Sequence, residues 1–182
     1  MASRGLLQLP KTLGDESLLM NAYAVDDAEA HLAGEDEEMR RRFDAPRPAT
    51  LEETRAAMVR WIEGRRLGGP MFAYAVRQVS TGVLMGGCEA RRPAEDVIEV
   101  SYWLYPAFRG QGNATRALSL LSEAAGRIAG VRRIEAHISL DNLPSRKLAE
   151  RAGFVDVGEV EETAWTGATS TMIRYARLIG PP

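Results

Sequence analysis

One cysteine, two histidines, two lysines and only 7% aromatic residues are what this 182-residue chain has least of. The lone cysteine, Cys88, excludes an intramolecular disulfide and any cysteine-rich zinc site. Two histidines without ligand spacing add no metal-binding pattern, so no metal is expected. No apolar run approaches the roughly 18 residues of a membrane span, and the N-terminus lacks a long apolar stretch with a cleavage signature. No signal peptide and no membrane association are therefore expected, and a reducing, cytoplasmic location fits the cysteine usage. A charge surplus is missing too. With 23 basic and 25 acidic side chains, the net charge is −2, and stable nucleic-acid binding is not expected. No fixed-period repeat or low-complexity tract is present.

What is there is ordinary and globular: 45% hydrophobic and 26% charged residues. A chain this long buries roughly two thirds of its unfolded surface without staples. A single domain over 1–182 is expected, monomeric or homodimeric, with 1–16 as a flexible arm. Leu18–Tyr23 reads as a first strand. Asp26 and Asp27 open a short helix, and Glu35-Asp36-Glu37-Glu38 before Arg40-Arg41-Arg42 reads as a second. Thr50 with Glu53 three residues on forms a capping box for a helix ending near Arg66. The period then turns to two over Met71–Val79, Gly82–Ala90 and Val97–Tyr105, with the polar stretch Arg91–Asp96 between the last two. Ala114, Ala117, Leu118, Leu121, Ala125 and Ile128 share one helical face. Val131–Leu140 is a strand, a short helix runs from Asn142 to Ala152, and Phe154–Val160 and Ser170–Leu178 close the chain. This order predicts an α/β domain with helices against a central sheet.

Chemistry concentrates where the strand ending at Pro106 meets the next helix. Gly110 and Gly112 there suit a phosphate cradle, because the first N–H groups of a helix lack internal partners and carry its positive dipole end. Neither the G-x-x-x-x-G-K-[ST] nor the G-x-G-x-x-G pattern is matched. Arg109-Gly-Gln-Gly-Asn-Ala114, however, resembles the [QR]-x-x-G-x-[GA] signature of the GNAT superfamily of acyl-CoA-dependent N-acyltransferases. Asn142-Leu-Pro-Ser145 and Ala152-Gly-Phe154 resemble its N-x-x-S and G-F hallmark. The Tyr102-Trp-Leu-Tyr-Pro106 lead-in and Arg133-Ile-Glu-Ala-His137 are most similar to the branch that includes ribosomal-protein N-terminal acetyltransferases.

The resemblance implies a mixed, mostly antiparallel sheet of about six or seven strands, flanked by helices and splayed between the fourth and fifth. It implies acetyl-CoA as co-substrate. Backbone groups at Tyr102, Trp103 and Leu104 would hold the acetyl carbonyl and pantetheine arm, and the turn Arg109, Gly110, Gln111, Gly112, Asn113, Ala114 and Thr115 the pyrophosphate. Asn142 would touch the pantetheine arm or cap its helix. Ser145 is the candidate proton donor to the departing thiolate and Glu99 the candidate general base, with Glu135 and His137 behind it.

The implied reaction moves an acetyl group to a primary amine of a small molecule or a protein N-terminus by direct attack in a ternary complex. Two further readings stay open: a non-catalytic acyl-CoA- or partner-binding module on this fold, and a donor other than acetyl-CoA. Residues 1–45 carry ten acidic and five basic side chains, so Asp26, Asp27 and Glu35 to Glu38 are candidates for attracting a cationic amine. Cys88 reads as core, and Trp61, Trp103 and Trp165 as packing residues.

Overall fold

In the computed structural model, which describes residues 7–69, 71–163 and 167–180, eight strands form one open sheet. In chain order they are β1 (Leu13–Gly14), β2 (Leu18–Asn21), β3 (Met71–Gln78), β4 (Leu84–Ala94), β5 (Val97–Leu104), β6 (Arg133–Ser139), β7 (Val155–Thr163) and β8 (Thr169–Leu178). Among the described residues, five α-helices accompany them: α1 (Asp27–Gly34), α2 (Glu37–Arg42), α3 (Leu51–Arg66), α4 (Asn113–Gly126) and α5 (Leu143–Arg151). The spatial order is β1-β2-β3-β4-β5-β6-β8-β7. Every neighbouring pair is antiparallel except β5 and β6.

The predicted splay lies between those two, the fourth and fifth strands of the sequence reading. They pair only from Val97 to Glu99 against Arg133 to Glu135, and then part. Two expectations need correction. The segment read as a flexible arm contributes β1, which makes the eighth strand, and it buries Leu7 and Leu9 in the core. Tyr74 Oη donates to Pro10 O at 2.6 Å, and Arg65 donates to Lys11 O while stacking on Phe72 and Tyr74. An alternating Leu-x-Leu of three residues is too short to register as a strand, yet apolar burial still anchors it. The polar stretch Arg91–Asp96, read as the separator of two strands, is itself mostly strand, with a turn at Glu95 and Asp96. β4 continues to Ala94, with its register shift between Arg91 and Ala94, around Pro93, which has no N–H to offer the ladder.

Two cores sandwich the sheet. On one face, α4 buries Ala117, Leu118, Leu121 and Ala125 against Ile98, Val100, Ile134 and Ile138. Leu118 and Leu121 are fully buried, so truncating either to alanine costs about 2–5 kcal/mol. On the other face, Tyr23, Ala28, Met58, Trp103 and Tyr105 pack beneath α1 and α3. Gly87 makes this possible, since a Cβ there would strike the Tyr23 hydroxyl and the Trp103 ring. The capping box predicted for α3 is present, with Thr50 accepting from Glu53 N and Glu53 from Thr50 N. Trp61 and Trp103 pack against one another as expected, while Trp165 lies outside the described residues.

His31 sits edge-on to Tyr23, Trp61, Trp103 and Tyr105, with Nδ1 2.9 Å from the Tyr105 hydroxyl. Burial lowers its pKa from 6.5 to about 4, opposed by Asp27. Between those values the unfolded chain binds the proton and the folded chain does not, so stability falls as pH drops through this window. Urea unfolding at about pH 7.5 and about pH 5 should show this loss. The His31→Gln variant should lose less stability than the native chain between the same two conditions.

Candidate active site

Where β5 parts from β6, each strand keeps a neighbour on one side only, β4 for β5 and β8 for β6. The main-chain groups facing the gap are therefore left without ladder partners. Beyond β5, a turn at Pro106–Phe108 leads through Gly110 and Gly112, with φ of 74° and 81°, into α4. Gly112 is the N-cap and supplies no side-chain cap, and the first helical bond runs from Arg116 N to Gly112 O at 3.1 Å. The N–H groups that start α4 thus face an open space, and a Cβ on Gly112 would meet no atom within 4 Å.

The side chains around this turn bend back to brace it. Gln111 Nε2 donates to Ala107 O at 3.0 Å and Asn113 Nδ2 to Phe108 O at 3.3 Å. Arg109 donates through Nε to Leu104 O at 2.9 Å and forks onto Asp36, the N-cap of α2, at 2.6 and 2.9 Å. That fork holds the Asp36 carboxyl below its ordinary range. The guanidinium ties the start of α2 to the turn.

A cavity of about 720 Å³ fills the gap between the strands, roofed by α2 and flanked by α5. Tyr102, Trp103, Leu104, Arg109, Gly110, Gly112, Asn113, Ala114, Thr115, Asn142 and Ser145 all line it. Gln111 and Glu99, also singled out from the sequence, are not among the lining residues. Ser145 Oγ lies 2.7 Å from the Tyr102 hydroxyl, and Ser145 N donates to Asn142 Oδ1 at 3.2 Å. Asn142 is therefore the N-cap of α5, and it fixes the turn that carries Ser145. Burial pushes the Tyr102 phenol up to about 12, so it stays protonated at neutral pH. This hydroxyl was missed in the sequence, where Tyr102 counted for its backbone alone.

Strand alternation sends the next side chains to the opposite face. There His137, which lines the cavity, contacts Glu162 of β7 through Nδ1 and approaches Glu135 Oε2 through Nε2 at 3.4 Å. Glu99, His137 and Glu162 carry polar atoms within 4.8 Å of one another. Burial raises the Glu99 pKa, countered by Arg91 at 3.7 Å. Arg133 pairs with Glu135 at 2.6 Å, so guanidinium groups balance much of the carboxylate charge. Glu162 escaped the sequence reading because only the β7–β8 hairpin, folded across β6, brings it to His137.

The N-terminal acidic set is mostly spoken for. Asp27 grips Arg77 at 2.9 and 2.6 Å, Asp36 grips Arg109, Glu35 lies 3.9 Å from Arg40, and Glu38 3.8 Å from Arg42. Asp27 thereby fastens α1 to β3, and Asp36 fastens the start of α2 to the turn before α4. Arg41 and Arg42 reach Asp141, at the other arm of the gap, at 2.8 and 2.5 Å.

Comparison with known proteins places this geometry. The sequence profile of the acetyltransferase (GNAT) domain matches residues 17–155. The chain is 35% identical over 72 residues to YycN of Bacillus subtilis (strain 168), an uncharacterized N-acetyltransferase, a match covering 40% of this chain and 46% of that one. The chain thus spans under half the length of this curated relative. The fold superposes with a TM-score of 0.79 on the microcin C7 self-immunity acetyltransferase MccE, whose structure holds acetyl-CoA and AMP, at 16% identity over 91% of this chain and 94% of that one. It superposes at 0.78 on RimL, the ribosomal L7/L12 alpha-N-protein acetyltransferase with coenzyme A, at 22% identity over 94% and 97%. Among the described residues no helix is long and apolar enough to cross a membrane.

Proposed function

Because the chain belongs to the GNAT acetyltransferase family, we propose that it transfers an acetyl group from acetyl-CoA to a primary amine by direct attack in a ternary complex. The acceptor is a small molecule or a protein N-terminus. One observation carries this reading: a gap in the sheet with a hydroxyl pair on one face, Tyr102 and Ser145, and titratable side chains on the other. The N–H groups from Gly110 to Thr115 hold the pyrophosphate, and the unladdered backbone of Tyr102–Leu104 holds the pantetheine arm and the acetyl carbonyl. The amine enters from the α1–α3 face. As the carbon–nitrogen bond forms and the carbon–sulfur bond breaks, the Tyr102–Ser145 pair protonates the departing thiolate. Glu99 adds negative charge on the acceptor side, where positive charge develops on the nitrogen.

An acyl-enzyme route finds no support at the one thiol. Cys88 is buried, and burial pushes its pKa up to about 12, so almost no thiolate is available at neutral pH.

The test is thiol release from acetyl-CoA over a panel of polyamines, aminoglycoside-like amines and N-terminal peptides, with acetylated product identified by mass. Turnover with at least one amine is expected. Tight acetyl-CoA binding without product from any acceptor would instead support a binding module, and release from longer acyl-CoAs alone a different donor. The pairing of Asp27, Glu35, Asp36 and Glu38 also predicts that a polyamine keeps no more than a severalfold advantage over a neutral peptide at low salt. Rate constants at low and high salt measure it.

A further inference from the structure

Successive β5 residues face opposite sides of the gap. Tyr102 packs with the core beneath α4 and reaches Ser145, whereas Trp103, the next residue, packs with the core beneath α1 and α3. In the reaction proposed above, the first side receives the thiol and the second the amine. The wall offered to the amine is apolar. Trp103 and Met39 of α2 belong to one cluster and are each 7% exposed. Phe43, the C-cap of α2, stands edge-on to the Trp103 ring, with centroids 5.6 Å apart. All three line the cavity, yet Phe43 is 40% exposed. A ring left that open in a cavity wall has apolar surface that a ligand gains by covering. The charges beside it are balanced within the protein. Glu38 lies 3.8 Å from Arg42 and 3.4 Å from Arg109, and Arg42 and Arg109 also engage Asp141 and Asp36. A second charge on the acceptor therefore finds no field of one sign here. Polar side chains, His137 and Ser139, line the cavity from β6, across the gap.

We propose that the acceptor carries a bulky apolar group, aromatic or branched aliphatic, close to its amine, and that Phe43, Met39 and Trp103 receive that group. This rests on the acetyl-transfer reading above and gives it an acceptor class. The same chemistry comes from two sources, a small arylalkylamine and a peptide whose first residue is phenylalanine or leucine. In either, the nitrogen meets the acetyl carbon at the β5 backbone while the apolar group stays on the α2 side of Trp103. Phe43 is the specificity-determining residue of the three, because it is the one with surface left to cover. The ion pairs of Arg109 with Asp36 and of Arg42 with Asp141 hold α2, and with it Phe43, at a fixed height over the gap.

Two matched sets of acceptors test this: phenethylamine against ethylamine and ethanolamine, and the tripeptide Phe-Ala-Ala against Ser-Ala-Ala. In at least one set, kcat/KM for the apolar acceptor should exceed that of its counterparts by about tenfold or more, as added apolar atoms do in an apolar pocket. Preference among the amines alone marks a small-molecule acceptor, and preference between the peptides marks an N-terminus. Phe43→Ala should cut the preference by about fivefold or more, and Phe43→Leu, which keeps apolar surface, by less. A ratio of acceptors reports the contact, since a general loss of structure would slow every acceptor alike. Equal kcat/KM within both sets, or a higher value for ethanolamine and the serine peptide, overturns the proposal while leaving acetyl transfer intact. So does an undiminished preference in a folded Phe43→Ala protein. If that variant does not fold, the ranking in the native protein decides alone. A native protein that binds acetyl-CoA but releases thiol with none of these acceptors overturns the transfer reading and this proposal together.

Discussion

Gly112→Asp is expected to abolish acetyl-CoA binding in a protein that still folds. The residue caps α4 at φ 81°, where an added Cβ meets nothing within 4 Å, so the folded chain has room for the side chain. Left-handed backbone costs an ordinary L-residue about 1–2 kcal/mol, and Asp and Asn tolerate it best. The loss in binding is far larger. A carboxylate about 4 Å from a phosphate charge costs on the order of 4 kcal/mol at an effective dielectric of about 20, roughly a thousandfold in affinity. The same carboxylate also caps the free N–H groups and consumes the positive end of the helix. Gly112→Asn separates the contributions, because it shares the shape and the backbone strain but lacks the charge. Calorimetry should rank native, Asn and Asp in falling affinity, with the Asp variant beyond detection. Unchanged affinity in a folded Asp variant removes the pyrophosphate from this turn.

The glycine turn and the helix start that carries Ser145 were legible for a local reason: each depends on residues a few positions apart, whereas the Tyr102 hydroxyl, 43 positions from Ser145, was not. Arg109 to Thr115 form one strand-to-helix turn, and Asn142 with Ser145 one helix start, so sequence spacing and spatial spacing coincide. The opposite face was not legible in the same way. His137 and Glu162 are 25 positions apart and meet only because β7 and β8 fold back as a hairpin on β6. No local pattern marks that encounter.

The acidic N-terminal run finds partners that are equally remote in sequence. Read along the chain, Glu35 to Glu38 looks like solvated charge, but Asp36 finds Arg109 73 positions away. The same ion pair engages Arg109, which also lines the cavity. Its fork is held by Asp36, and α2 is thereby fixed at one end to the glycine turn and at the other to Asp141 beside α5. Charge counts over a segment report its solubility; they do not report which partners the fold assigns. Leu7 and Leu9 teach the same lesson for apolar residues, since a run too short to show a period is still buried when a core edge lies beside it.

Ser145→Ala and Tyr102→Phe are each expected to cut turnover by about 10²- to 10⁴-fold while acetyl-CoA affinity changes little. The argument is a count of protons. Two hydroxyl groups 2.7 Å apart contain two O–H bonds, and the contact between them uses one. When Tyr102 donates to Ser145 Oγ, the Ser145 hydrogen is left for a third partner in the cavity that both side chains line, where the proposed reaction puts the departing sulfur; when Ser145 donates instead, the Tyr102 hydrogen goes to Ser145 O at 3.3 Å. The Tyr102 phenol, raised to about 12, supplies no anion of its own at neutral pH and keeps its hydrogen until the thiolate draws it. Phe at position 102 preserves the ring packing against the core, so a loss there reports the hydroxyl and not a cavity. Because the pair acts as one donor, the double variant should be only slightly slower than the poorer single variant, instead of showing the product of the two losses. Single-turnover measurement of thiol release, with acetyl-CoA affinity determined separately by calorimetry, distinguishes these cases. Multiplicative losses would show two independent contributions, and near-native rates in both single variants would hand the proton to solvent.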